Sequence, residues 1–438
     1  MAAAAASAAT GAPKREGKAV PEAVQRVMDA AALATDDAPA AIAALQSILG
    51  GGDKSPDGVR AKELAMQELS LIQANEGNAP AIAALLRENR EFFAGIPKAK
   101  TAKLVRMLID RVGQIAGAEE LQAELLDESI AWTKAERRNF LRIRLQTRLA
   151  ALMLGRGSFH DALALAQALL REIKKLDDKP LLVEIHVLES RIHHELHNIP
   201  KARAALTSAR AAANAIYVSP ETQADIDIQA GTLASEDEDY KTAFSYFYEA
   251  FEGHGSLKQR AMATRCLKYM ILVQIMTGSV EEARGLISGK QGVEYAGVSV
   301  DAMRAVVEAY ADRSLAAFQA ALADFKEEIV DDAFISRHLQ RLYQRMLEAN
   351  LARLVEPFSC VELSHVASLI GLPEPVVEAK LSQMILDGRL LGTLDQGRGQ
   401  LVLYEDADVD EAYDGALGVL DKLGSVMDGL FAKARHVR

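Results

Sequence analysis

The sequence predicts a mainly α fold: a right-handed solenoid of stacked helix pairs, a winged-helix module with a small β-hairpin, and a long C-terminal helix. Three observations carry this. A short phrase recurs at an even step, its alanines falling at Ala162, Ala202, Ala243 and Ala283. Ala and Leu are abundant while aromatics make up only 5% of the 438 residues, a composition that suits helices better than sheets. The one pair of β-like runs, 390–394 and 401–404, lies near the end, joined by Asp395-Gln-Gly397-Arg-Gly399.

Residues 1–20 are Ala-rich, with Lys14, Arg15 and Lys18 against the single acid Glu16. A transit peptide is basic and acid-poor, but one Ser, one Arg and no amphipathic stripe fit a disordered tail better. The solenoid is expected over 21–235. Its signature is Gly157-Ser-Phe159-His-Asp-Ala162, His197-Asn-Ile199-Pro-Lys-Ala202, Glu238-Asp-Tyr240-Lys-Thr-Ala243 and Gly278-Ser-Val280-Glu-Glu-Ala283. Each has a turn-like pair, a large apolar residue, and Ala three residues later. Leu121, Ile82 and Ala41 continue the register toward the N-terminus at nearly the same step. A small residue on the first turn of a helix lets the preceding helix come close, and the larger one fills the corner between them. Ser158 with Asp161, and Ser279 with Glu282, read as capping boxes at that corner. One such pair cannot bury its own apolar face, so the units must stack. The Gly157–Ala162 phrase resembles the second helix of a tetratricopeptide repeat, at a period longer than that family's ~34 residues.

A shorter unit follows at Arg313-Ser-Leu-Ala-Ala-Phe318, then helical runs over 315–329 and 335–354. Over 354–405 the pattern is helix, turn, helix, hairpin. Ser359-Cys-Val-Glu362 reads as a capping box, Gly371 ends the first helix and Pro373 opens the second. Charge argues against nucleic acid. Between Arg353 and Glu405 there are four bases and seven acids, and the would-be reading helix carries Glu374, Glu378 and a single Lys380. Groove binding needs a basic face. From 408 to about 435 a helix is expected with the stripe Tyr413, Leu417, Leu420, Leu423, Met427, Leu430 and Ala434. That stripe suits either a partner helix or packing on the same chain.

The formal net charge of −11 gives no pull toward anionic membranes, and no apolar run reaches a membrane span. Cys266 and Cys360 make neither a disulfide framework nor a zinc site. His193 and His197 stand four apart, but Glu195 is misplaced for a zincin, and a solvated helix face is the expected reading. Gly50-Gly51-Gly52 lacks the Lys-Ser/Thr of a phosphate loop. Phe244, Tyr246, Phe247, Tyr248 and Phe251 have no Lys or Arg among them and read as helix packing. No catalytic constellation can be assembled, so no enzyme activity and no cofactor or metal are expected.

Helical repeats running into a winged helix and a terminal helix resemble the PCI-domain family, scaffold subunits of the proteasome lid, the COP9 signalosome and translation initiation factor three. The run from Pro200 to Tyr217, Ser245-Tyr-Phe-Tyr-Glu-Ala-Phe-Glu-Gly253, Leu267-Lys-Tyr-Met270, Glu356-Pro-Phe-Ser359 and Lys380-Leu-Ser-Gln-Met-Ile-Leu-Asp387 with Leu394-Asp-Gln-Gly397 are closest to its proteasome-lid branch. The resemblance covers the chain after about Ala30. It implies a PCI domain over 236–405, a bundling helix over 408–436, and a non-catalytic lid scaffold in cytoplasm and nucleus. The implied partners are the other lid PCI subunits, an ATPase-ring subunit and an outer-ring subunit of the core particle. No nucleic acid, membrane or small-molecule substrate is implied. The implied contacts are Leu391, Thr393, Leu401 and Leu403 on the wing strands and Leu420, Leu423, Met427 and Leu430 on the terminal helix. A signalosome subunit, or a nucleic-acid-binding winged-helix factor, is the alternative.

Overall fold

The computed structural model describes residues 22–33, 38–51, 55–115, 117–326, 328, 332–404 and 411–435. The N-terminal tail lies outside them. The chain divides into two compact units, 1–258 and 259–438. The sequence reading placed its own division at 235/236.

The described elements of unit 1 are all helices: α1 (Glu22–Leu33), α2 (Ala38–Gly50), α3 (Pro56–Asn75), α4 (Ala79–Glu88), α5 (Arg90–Gly95), α6 (Lys98–Val112) and α7 (Glu119–Ala135), then α8 (Asn139–Gly155), α9 (Phe159–Leu176), α10 (Lys179–Glu195), α11 (Ile199–Asn214), α12 (Pro220–Glu236) and α13 (Tyr240–Ser256). Helices adjacent in sequence pack as hairpins, and α10 also touches α8 and α12 in the neighbouring units. The register expected from the repeat is the buried one. Ala41, Ala162, Ala202, Ala243 and Ala283 are fully buried, Ile82 nearly so, and Leu121 half-buried against the core.

The turns between helices are more regular than the sequence suggests. Arg137, Gly157, Asp177 and His197 all have positive φ and stand at an even step along the chain, and Glu238 follows. After four of these the next amide donates to the carbonyl five residues back: Arg138 to Thr133, Ser158 to Met153, Asn198 to His193 and Asp239 to Ala234, at 2.8–3.0 Å. This is the Schellman closure, which satisfies a last-turn carbonyl as the chain reverses. Asn198 and Asp239 then cap the next helix through their side chains. Ser158 and Ser279 stand at N-cap positions but make no cap bond. The Ser158 hydroxyl donates to Met153 O instead, and Glu282 accepts from Gln274, so both expected capping boxes are absent.

Ion pairs link corresponding helices of neighbouring units: Lys100–Glu63 at 3.0 Å, Arg87–Glu128 at 2.7 Å, Arg148–Asp110 at 3.2 Å and Arg191–Asp225 at 2.8 Å. They lie at the surface, so each contributes well under about 1 kcal/mol and serves mainly to fix register. Helices α12 and α13 approach each other closely. A Cβ on Gly231 would stand 2.7 Å from the Phe247 ring, which is fully buried, so glycine is required there. The tyrosine-rich helix thus buries Phe247 and Phe251 as packing, in line with the absence of Lys and Arg between Phe244 and Phe251.

Asp227 on α12 is 5% exposed. Burial raises its pKa from 3.8 to about 6; the Gln223 amide, 3.2 and 3.1 Å from its two oxygens, opposes the rise, Glu249 adds to it and Arg210 opposes it. Below about pH 3 the carboxyl is mostly protonated folded or unfolded and costs almost nothing. As pH climbs toward 6 the folded chain must either keep a proton the unfolded chain releases or ionise a buried group, a cost that levels off at about 2–3 kcal/mol. Asp227→Asn is therefore expected to stabilise the protein by about that amount at pH 7.5 and to leave it nearly unchanged near pH 3. Chemical denaturation of both proteins across that range tests this, and equal stability at pH 7.5 contradicts it.

Unit 2 opens with α14 (Arg260–Thr277), α15 (Val280–Ser288), α16 (Lys290–Glu294), α17 (Val298–Ala311) and α18 (Leu315–Asp324). Then come α19 (Ala333–Val355), β1 (Cys360–Glu362), α20 (Leu363–Ile370), α21 (Glu374–Leu386), β2 (Gly392–Asp395), β3 (Gln400–Leu403) and α22 (Glu411–Arg435). Asp332 ties α14 to the start of α19: its carboxylate accepts from the Tyr269 hydroxyl at 2.7 Å and from Arg265 at 2.9 Å while capping α19. The winged helix is built as predicted apart from its start. The capping-box segment is strand β1, not a helix N-terminus, and α20 begins only at Leu363. Pairing with β3 holds it extended, with Cys360 opposite Val402 and Val361 opposite Leu401. The sheet order is β1-β3-β2, all antiparallel. Leu351, Val355, Val377, Leu381 and Leu401 form its fully buried centre.

Candidate docking surfaces

The sheet of the winged helix presents alternating rows. Val361, Leu401 and Leu394 lie side by side in register and face the core. The neighbouring row, Cys360, Val402 and Thr393, faces out and is exposed. This corrects one expected contact. Leu401 is fully buried, so it does not present its side chain to a partner, whereas Leu403 is half-buried against the same core and also lines the groove that opens beside Leu391. Strand alternation puts Val402 and Tyr404 outward instead. Leu391 and Thr393 are exposed as expected, with Leu391 at 48% and Tyr404 at 58%. The Thr393 and Tyr404 hydroxyls are 2.7 Å apart, and a groove of about 690 Å³ opens beside them between Phe358, Arg389 and Leu391. Strands β1 and β2 are the edges of the sheet. An unpaired edge beside exposed apolar side chains is a surface made for covering.

Helix α21 occupies the place of a DNA-reading helix, but its one cation is spent internally. Lys380 Nζ lies 2.7 Å from Glu348 on α19, and both side chains are largely buried. Arg389 pairs with the same carboxylate. Glu374 remains exposed on α21, and Glu378 holds the wing through Gln396 at 2.6 Å. Among the described residues of this module only Arg353 and Arg398 are left, and Arg398 lies by Asp395. Two scattered arginines do not neutralise a phosphate track.

The terminal helix α22 carries a long exposed apolar surface. Every residue whose exposure is described between Gly415 and Ala434 is exposed, including Leu420, Leu423, Met427 and Leu430 at 52–64%. The Tyr413 side chain lies outside the described residues. These four alternate at spacings of three and four, the a and d positions of a heptad. Leu417 and Phe431 flank the seam on one side, Val419 and Val426 on the other, so apolar residues occupy a, d, e and g. A two-stranded coiled coil keeps e and g charged; an apolar arc this wide fits the interior of a bundle with several neighbours. Gly415, Gly418, Gly424 and Gly429 each cost the helix about 1 kcal/mol relative to Ala. Its stability must therefore come from what covers it.

The expected histidine pair is not a pair on one helical face. Helix α10 ends at Glu195, and His197 is exposed in the left-handed turn beyond it. His193 is not solvated either: it is 6% exposed, its Nδ1 has no hydrogen-bond partner, and burial lowers its pKa. Burial also opposes the charged form of His194, but hydrogen bonds to Glu195 and Glu236 outweigh it and raise its pKa. No group of three or more His, Cys, Asp or Glu among the described residues could hold a metal ion. No described helix is long and apolar enough to cross a membrane.

Three family models match the chain. Residues 23–156 match the 26S proteasome regulatory subunit RPN6 N-terminal domain, 322–405 the PCI domain, and 409–435 the 26S proteasome subunit RPN6 C-terminal helix domain. Similar proteins include the 26S proteasome non-ATPase regulatory subunit 11 homolog of Arabidopsis thaliana, 47% identical over 91% of this chain and 94% of that protein. The probable 26S proteasome regulatory subunit rpn6 of Schizosaccharomyces pombe is 45% identical over the same shares. The 26S proteasome regulatory subunit RPN6 of Saccharomyces cerevisiae is 41% identical over 85% of this chain and 87% of its own length.

Proposed function

The chain belongs to the RPN6 family of 26S proteasome regulatory subunits, and we propose that it is a non-catalytic scaffold of the regulatory-particle lid, joined to its neighbours through the winged helix and α22. The observation that carries this reading is α22, whose eight large apolar side chains from Leu417 to Phe431 are 48–72% exposed. Covering them is worth on the order of 10 kcal/mol, enough to drive assembly. The proposed contacts are Leu420, Leu423, Met427 and Leu430 on the helix, with Leu391, Thr393, Val402 and Tyr404 on the sheet. The helices of unit 1 form the arm proposed to brace the ATPase ring against the core particle, which the match over 23–156 supports. This role needs no cofactor and no nucleic acid, and the internal Glu348–Lys380 pair supports the latter. Its compartments are the cytoplasm and nucleus. The names of the relatives disfavour a signalosome subunit.

Affinity purification of a tagged copy from cells, with subunit identification, tests the assignment. ATPase-ring and core-particle subunits are expected alongside the lid. Recovery with signalosome or initiation-factor subunits alone overturns it.

A further inference from the structure

Helices α6, α8 and α10 of unit 1 border a cleft of about 220 Å³, lined in part by Arg106, Asp110, Arg144, Arg148 and Glu184. Arg148 is taken up by Asp110 at 3.2 Å. Arg106 and Arg144 have no ion pair or hydrogen bond among the described residues, and both are exposed. Nearby arginines close onto acids of other helices, as Arg142 does with Glu172 at 2.6 Å and Arg191 with Asp225 at 2.8 Å. At this cleft two guanidinium groups without an ion pair instead stand together, on different helices of a chain of net charge −11. Glu184 is the cleft's own counter-anion. Desolvation raises its pKa, and Arg144 and Arg106 pull it back without forming a direct bond. One turn before Arg144 on the same helix, Phe140 is 63% exposed and forms an apolar shelf on that face.

We propose that this cleft receives a side-chain carboxylate from an acidic segment of a partner protein, held between the Arg106 and Arg144 guanidinium groups. The size fits one side chain and falls below the ~300 Å³ of pockets that take whole small molecules. Guanidinium forks match a planar carboxylate in two-pronged contact. Asp110 and Glu184 beside them repel a polyanion, and no continuous basic track is present for a nucleic acid backbone. The inference rests on the docking role proposed for unit 1 and names the chemistry of what it docks.

The test uses the full chain and a fluorescent Glu-rich peptide carrying one Phe, read by anisotropy at low salt. The parent is expected to bind, and a Gln-for-Glu peptide to fail. Arg106→Ser with Arg144→Ser is expected to weaken binding about tenfold or more, with the circular dichroism spectrum unchanged since both side chains are exposed. Glu184→Gln removes the internal competitor and is expected to tighten binding about threefold. A purely structural cluster predicts no such gain. Absence of peptide binding by the parent, equal binding by the double Ser variant, no gain from Glu184→Gln, or displacement by inorganic phosphate or an oligonucleotide at comparable concentration overturns the proposal. Incorporation of the parent into the purified proteasome is scored separately. A chain that assembles yet ignores the peptide sinks the cleft alone, and one that does neither sinks the docking role as well.

Discussion

Leu423→Asp with Leu430→Asp is expected to abolish recovery of lid, ATPase and core subunits with the tagged chain while leaving the chain itself folded. Both residues are already exposed in the isolated chain, at 57% and 62%, so the substitutions remove nothing from its own core. In a bundle they are buried, and two carboxylates without partners there cost several kcal/mol each. At that cost the affinity falls by more than about a thousandfold. Melting of the purified variant and subunit recovery are read together. Unchanged melting with lost recovery is the expected pair; normal recovery means that α22 docks through another face.

Phe247→Ala is expected to cost about 3–5 kcal/mol. The ring is fully buried and packs on the bare backbone of Gly231. Gly231→Ala attacks the same contact from the other side. Its methyl meets the ring at 2.7 Å, so it is expected to cost about 1–3 kcal/mol despite the better helix propensity of Ala. The two sites are coupled. With Phe247→Leu in the background, the methyl gains room, and the double variant is expected to lose at least about 1 kcal/mol less than the two single losses added. Hydrogen exchange in α12 and α13 reads the local stability. Simple additivity means that α12 and α13 shift apart rather than clash.

What was legible in the sequence is what local chemistry decides. The buried register Ala162, Ala202, Ala243 and Ala283 follows from small residues at a fixed step, and Gly371 ends α20 as expected, taking the left-handed conformation. The acidity of α21 pointed away from nucleic acid before Glu348 was known to hold Lys380. What stayed hidden depends on distant partners. Segment 360–362 is extended because β3, far along the chain, pairs with it, and nothing local distinguishes it from a helix start. The inward row of β3 was misjudged because apolar residues stand on both faces, Val402 outward between Leu401 and Leu403. Arg137, Asp177, His197 and Glu238 take left-handed backbone where sequence rules look for Gly or Asn. His193 and His194 look like a polar helix end but are covered by their neighbours. Arg106 and Arg144 are remote in sequence, and only the stacking of α6 and α8 brings them to one cleft.

The evenly spaced left-handed closures also govern how unit 1 comes apart. Each reversal is bonded within its own few residues, and the ion pairs reach only to the next helix pair. Cooperativity therefore passes from neighbour to neighbour, like a line of coupled springs rather than a single all-or-none latch. A defect at Gly231 loosens α12 and α13 first and fades with distance along the stack. A single melting temperature averages over such a gradient, and local exchange rates resolve it. A stack of this kind yields by degrees under load, which suits the bracing role proposed for it.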